Sequence, residues 1–139
     1  MDGVKGGVEA GVAKLIQDLG DPETAAAAAL AVCMLCERGD PPSSLLAVLA
    51  PLVKSLTFNH AVQQNSLSAL AGLCALVPGA REELCFVSGP HALVALLSRD
   101  DTPAAVRLNA LEAVGVLAAS SMAVDALLLC DAHTATLGA

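Results

Sequence analysis

The chain has no tryptophan and no tyrosine, and only two phenylalanines among 139 residues. Sandwiches and barrels draw heavily on aromatic and β-branched side chains, so this scarcity argues against an all-β fold. Basic residues are sparse too. Seven of them (Lys5, Lys14, Arg38, Lys54, Arg81, Arg99 and Arg107) stand singly against 14 acids, for a net charge of −7. Replacing the counterions of a nucleic acid requires a basic stripe, and none exists, so no nucleic-acid partner is expected. The same lack argues against docking on anionic lipid. Long hydrophobic runs are missing as well. The longest, Ala25 to Cys36, has 12 residues, well short of the ~20 a membrane-spanning helix needs. The opening MDGVKGGVEAGVAKLIQDLG carries Asp2, Glu9 and Asp18 and no apolar signal-peptide core. No membrane partner is expected. The five cysteines are odd in number and sit in apolar stretches, which fits reduced thiols in a cytoplasmic setting and leaves an organelle or cilium open.

What is present is apolar and small. Apolar residues make up 55% of the chain, and they are mostly Ala, Leu and Val, which favours closely packed helices. One line is written more than once. Gln63 to Cys74, QQNSLSALAGLC, matches Arg107 to Ala118, RLNALEAVGVLA, with Asn65 on Asn109, Leu67 on Leu111, Leu70 on Val114 and Leu73 on Leu117. A third copy, reduced to small residues, places Ala29 under Leu67, Val32 under Leu70 and Leu35 under Leu73. Apolar positions recur at the spacing of one helical face. This predicts long helices near Glu23–Arg38, His60–Val77 and Pro103–Ala119, with Leu70, Leu73, Leu111, Val114 and Leu117 buried between them. A shorter motif precedes each copy: AKLIQDLG from Ala13, APLVKSLT from Ala50 and HALVALLS from His91, with a fourth start suggested in CDAHTATL from Cys130.

Punctuation follows the repeat. Gly20 is placed to take a left-handed helix end, and Asp21-Pro22 to open the next helix. Asp101-Thr102-Pro103 repeats that device. Gly39 with Pro41-Pro42 and Pro78-Gly79 close the first two long helices. Gly89-Pro90 divides a short helix, Arg81 to Val87, from one beginning near His91. The glycines of MDGVKGGVEAG predict a mobile N-terminus rather than a phosphate loop, since the lysine-plus-hydroxyl ending is missing.

Repeats near forty residues, looked for first in any chain, point to helical arrays. The residues Arg81 to Gly89, then His91 to Leu97, then Val106 with Asn109 to Ala118 resemble the armadillo pattern, with the two-helix HEAT repeat as nearest rival. The resemblance implies an all-α fold, a right-handed α-solenoid of about three armadillo-like helical repeats. The whole chain, 1–139, then forms one domain, with approximate repeats 4–40, 41–80 and 81–120 and a partial repeat 121–139. It also implies a non-enzymatic scaffold that binds a protein partner, as a component of a larger assembly. The alternative is a regulatory or capping armadillo segment of a longer multidomain protein such as an enzyme or cytoskeletal factor.

In armadillo proteins the long helices line a groove in which a Trp and an Asn clasp an extended peptide. Here the Trp-like position falls on Leu30, Ser68 and Glu112, and the Asn-like position on Met34, Gly72 and Val116. No nuclear-localisation peptide is therefore expected. The candidate groove-facing residues are Asn65, Ser68, Gly72, Asn109, Glu112 and Val116, forming a shallow surface better suited to a helix than to a strand. Asn65 and Asn109 have a second reading as polar residues bonding a neighbouring loop. Leu127, Leu128 and Leu129 form a candidate C-terminal contact for self-association.

No residue group announces a reaction. Cys33 and Cys36 could share a helix face, but a closed zinc site needs two more ligands, and core filling is the plainer reading. His60, His91 and His133 stand near helix starts without a triad spacing. Glu82-Glu83 and Asp100-Asp101 precede or open helices, where negative charge meets the positive helix end. No catalytic residue, metal or cofactor is predicted.

Overall fold

The computed structural model describes residues 2–39 and 41–119, together with Asp125 and Leu128, and for residues 2–10 it gives the backbone course. All the regular structure among these residues is helical: α1 (Asp2–Leu19), α2 (Ala25–Glu37), α3 (Leu49–Ser55), α4 (His60–Leu76), α5 (Ala80–Phe86), α6 (Gly89–Ser98) and α7 (Ala104–Leu117). A 3-10 segment, Ser43–Val48, leads directly into α3. The long helices thus begin and end within two residues of the expected limits, and no strand is present among the described residues.

The long helices α2, α4 and α7 lie in a row, with α4 in the middle and packed extensively on both neighbours. Each also packs on a chain-adjacent partner, giving the pairs α1–α2, α3–α4 and α6–α7. Leu19, Val32, Leu45, Leu49, Leu52, Leu67, Leu70, Leu73, Leu84, Leu93 and Leu117 are fully enclosed and form one continuous core. Each such side chain contributes about 1.5–3 kcal/mol on leaving water. Alanines fill the spaces between: Ala25, Ala29, Ala69, Ala110 and Ala113 are buried, and their small size lets the helices approach.

Helix α4 shows how local chemistry sets an element. The Asn59 side chain accepts from the Val62 amide at 3.1 Å, satisfying one of the free donors at the helix start. At the other end Val77 is extended, as a residue before proline prefers to be, so the helix stops ahead of Pro78. Gly79 then takes φ +85°, a left-handed conformation that a side chain would disfavour, and α5 begins at once.

Several expected helix ends are built differently. Gly20 is not left-handed. Helix α1 instead tightens into short-range bonds, with Gly20 N–H donating to Gln17 and Asp21 N–H to Asp18, both at 3.2 Å. Asp21 does not cap α2: the helix starts after Thr24 with no side-chain cap bond. The Asp21 carboxylate instead accepts from Glu23 N–H at 2.9 Å in the preceding turn, while its carbonyl accepts from Ala25 N–H at 2.8 Å. Asp101 does not cap α7, because its carboxylate is taken in a fork by Arg99, and Thr102 donates to the Leu96 carbonyl at 2.7 Å. The left-handed residue at the α5–α6 corner is Ser88, φ +62°, and Gly89 already lies in α6. Gly89 is required for space: an added Cβ would meet the Leu84 side chain at 2.3 Å and the Leu84 carbonyl oxygen at 2.8 Å. The glycines of MDGVKGGVEAG do not interrupt α1, which runs from Asp2. Their cost of about 1 kcal/mol each in a helix does not stop it.

Candidate interaction face across the long helices

The repeated line makes two kinds of tie. In the first, Asn65 donates to the Ala26 carbonyl of α2 at 2.9 Å, and Asn109 donates to the Gln64 carbonyl of α4 at 3.1 Å. These bonds are equivalent in the repeat register. Each asparagine reaches the residue just before its own counterpart in the preceding long helix. In the second, Gln63 donates to the Leu56 carbonyl at 2.9 Å, at the C-terminal end of α3. Its counterpart Arg107 donates to the carbonyls of Leu97 at 2.8 Å and Arg99, at the C-terminal end of α6, and to that of Thr102 at 3.1 Å in the connection before α7. Both side chains satisfy carbonyls that a helix end leaves without partners. Asn65 and Asn109 are therefore committed to neighbouring helix carbonyls rather than to a groove or loop. Sequence reasoning missed the roles of Gln63 and Arg107, although their alignment in the repeated line was the signal.

The remaining four candidate groove positions come together. Ser68, Gly72, Glu112 and Val116 border one shallow depression of about 320 Å³ between α2, α4 and α7, with Cys33, Cys36, Glu37 and Leu76 at its margins. Gly72 lets α4 lie close to α2, since a Cβ there would stand 3.2 Å from the Cβ and Sγ of Cys36. Ser68 is exposed and lies 3.4 Å from the Asn109 amide. Leu30 and Met34, the first-copy counterparts of Ser68 and Gly72, are each about half exposed, at 50% and 53%. The face is thus apolar and small-residue, with two carboxylates.

Its thiols are held protonated. Burial pushes Cys33 up to about 11, helped by the neighbouring Cys36 and Glu37, and burial also raises Cys36. The Cys33 thiol donates to the Asn65 carbonyl at 3.5 Å. A thiol in this state is a poor nucleophile and a poor metal ligand at neutral pH. Among the described residues no cluster of three or more His, Cys, Asp or Glu could hold a metal ion. His60 and His91 are exposed near the starts of α4 and α6, and His133 lies outside the described residues. Glu82 and Glu83 occupy the first turn of α5. Asp101 pairs with Arg99 at 3.0 Å, and that hydrogen bond holds its carboxyl below the usual range.

The expected core needs one correction. Leu70, Leu73 and Leu117 are buried and Val114 is half-buried, but Leu111 is 54% exposed. Its counterpart Leu67 is fully buried between α4 and its neighbours. Leu111 projects from the far side of α7, where no further described helix packs. Of the candidate C-terminal contact, Leu128 is exposed, and Leu127 and Leu129 lie outside the described residues. No described helix is long and apolar enough to cross a membrane.

No protein-family model matches the chain, and no curated protein matches it. A crystal structure of an engineered protein from the Northeast Structural Genomics Consortium has a similar fold, with a TM-score of 0.73 at 24% sequence identity. The similarity covers 87% of this chain and 52% of that protein, so this chain spans about half of its length.

Proposed function

We propose that the chain is a non-enzymatic protein-binding module, an armadillo-like right-handed α-solenoid of about three repeats that serves as part of a larger assembly. The observation that carries this reading is the convergence of Ser68, Gly72, Glu112 and Val116 on one depression along the row of long helices. These positions come from two copies of the repeated line, so a surface drawn from the same register continues from one helix to the next. The equivalent ties of Asn65 and Asn109 support the repeat reading, as do those of Gln63 and Arg107. The occupant that fits is a helix of a protein partner. The face offers apolar contact from Leu30, Met34 and Leu76, a backbone approach at Gly72, and carboxylates at Glu37 and Glu112 for a basic side chain.

The test compares Ser68→Arg and Glu112→Lys with the unaltered chain in affinity capture read by quantitative mass spectrometry. Both residues are exposed, so circular dichroism and melting temperature should be unchanged. Loss of the same captured proteins from both variants is expected. Equal capture by all three chains would overturn the assignment of this face.

A further inference from the structure

We propose that the α7 end of one molecule docks on the α2 end of a second copy, head to tail, continuing the row of long helices across the molecular boundary. The inference rests on the repeat reading above and names a partner that reading leaves open.

Each internal junction joins the trailing side of one long helix to the leading side of the next. On α4 the trailing side includes Gln64, Ser68 and Ala71: Asn109 of α7 bonds the Gln64 carbonyl and approaches the Ser68 hydroxyl, and Ala71 is buried. Its leading side includes Asn65, bonded to Ala26, and Gly72, close against Cys36. The same register carried to α7 gives a trailing strip of Leu108, Leu111, Glu112 and Gly115. There Leu108 and Leu111 are 67% and 54% exposed, and a Cβ added at Gly115 would meet nothing within 4 Å. Carried to α2, it gives a leading strip of Ala27, Ala31 and Met34. Ala27 and Met34 are exposed, because α1 pairs with α2 from the side, as α3 does with α4.

One chain therefore carries both halves of another such junction. Leucines stand on one strip and alanines oppose them on the other. In register, Ala27 of the second copy falls at Leu108, as Asn65 falls at Ala26. Ala27 supplies no amide for the Leu108 carbonyl, so this junction lacks the hydrogen bond that both internal junctions have. It is expected to be weak, in the micromolar range and above. Because the two strips differ, the contact is heterologous and does not close into a symmetric dimer. Both copies carry a net charge of −7, so added salt screens their repulsion and should strengthen association.

The test is sedimentation of the 139-residue chain with two variants, Leu108→Glu on the α7 strip and Ala27→Glu on the α2 strip. The unaltered chain should gain average mass continuously over roughly 1 µM to 1 mM, the range of weak specific contacts, and more so in higher salt. Each variant alone should remain monomeric with unchanged helicity. An equimolar mixture should form a one-to-one dimer and stop there, because the Ala27→Glu chain still offers an intact α7 strip and the Leu108→Glu chain an intact α2 strip. A monomeric unaltered chain, a mixture that stays monomeric, or association surviving in either variant overturns the proposal. So does a dimer broken by Leu108→Glu alone, which would mark a symmetric α7–α7 contact. A monomeric chain that still captures proteins through Ser68 and Glu112 would overturn this inference and leave the proposed function standing.

Discussion

Helices α4 and α7 carry the same line and meet opposite fates on one side. On their leading sides they behave alike: Asn65 and Asn109 each bond the preceding long helix at 2.9 and 3.1 Å, and Ala69 and Ala113 are both buried. On their trailing sides they part. Leu67 is fully buried and Leu111 is 54% exposed. Cys74 is buried and its counterpart Ala118 is exposed. The difference does not lie in the line itself, which is apolar at both leucines. It lies in the neighbour: α4 has α7 beside it, and α7 has no further described helix. An apolar repeat position marks a residue able to be buried, and the next layer decides whether it is.

The largest effect should come from deleting these paired leucines. Leu67→Ala is expected to cost about 2–5 kcal/mol through lost burial and the cavity left behind. Leu111→Ala should stay within roughly 0.5 kcal/mol, as surface changes do. Urea midpoints of the two variants check the contrast, and equal losses would break the comparison. Next, Gly72→Val writes the residue of α7, Val116, into α4. The added Cβ already stands 3.2 Å from Cys36, so overpacking should cost about 1–3 kcal/mol. The same measurement would show a neutral change if α2 and α4 could move apart freely.

The asparagines test where the helices should agree. Asn65→Ala and Asn109→Ala should each cost about 1 kcal/mol, the usual net worth of such a hydrogen bond, and the two losses should match. A double variant should lose the sum, since the bonds join different helix pairs. The last contrast is silent at neutral pH. Burial raises Cys74 from 9.0 to about 12, and α7 has no thiol at that position. The folded chain then holds its proton where the unfolded chain releases it. Stability should therefore be intact below pH 9.0 and fall as the pH rises toward 12. Cys74→Ala should flatten part of this slope in urea midpoints taken at successive alkaline pH values, with the part due to Cys33 remaining.

Much of the helical plan was legible because it rests on local rules. Pro78 stops α4, and periodic apolar positions give the length of each long helix. What escaped depends on distant partners. Asp101 resembles a helix cap in sequence, but Arg99 claims its carboxylate. Leu111 fits the buried pattern, but burial needs a neighbour. Gln63 and Arg107 were visible as an aligned pair, yet Gln and Arg share no obvious chemistry until both are seen reaching the end of a partner helix. The alignment of Ser68, Gly72, Glu112 and Val116 was readable from the register; the depression they border follows from three helices lying side by side.

The corner between α5 and α6 has a consequence for how this chain can vary. Its two residues, Ser88 and Gly89, divide the usual duties of a glycine between them. Ser88 bears the left-handed backbone while keeping its side chain, and Gly89 has ordinary backbone angles but no room for a side chain. The dipeptide is consequently directional. Glycine at Ser88 would relieve backbone strain, whereas any side chain at Gly89 would drive into Leu84. A library randomised over both positions should return glycine, asparagine and serine at the first and almost only glycine at the second, and exchanging the two residues should be poorly tolerated although composition is unchanged.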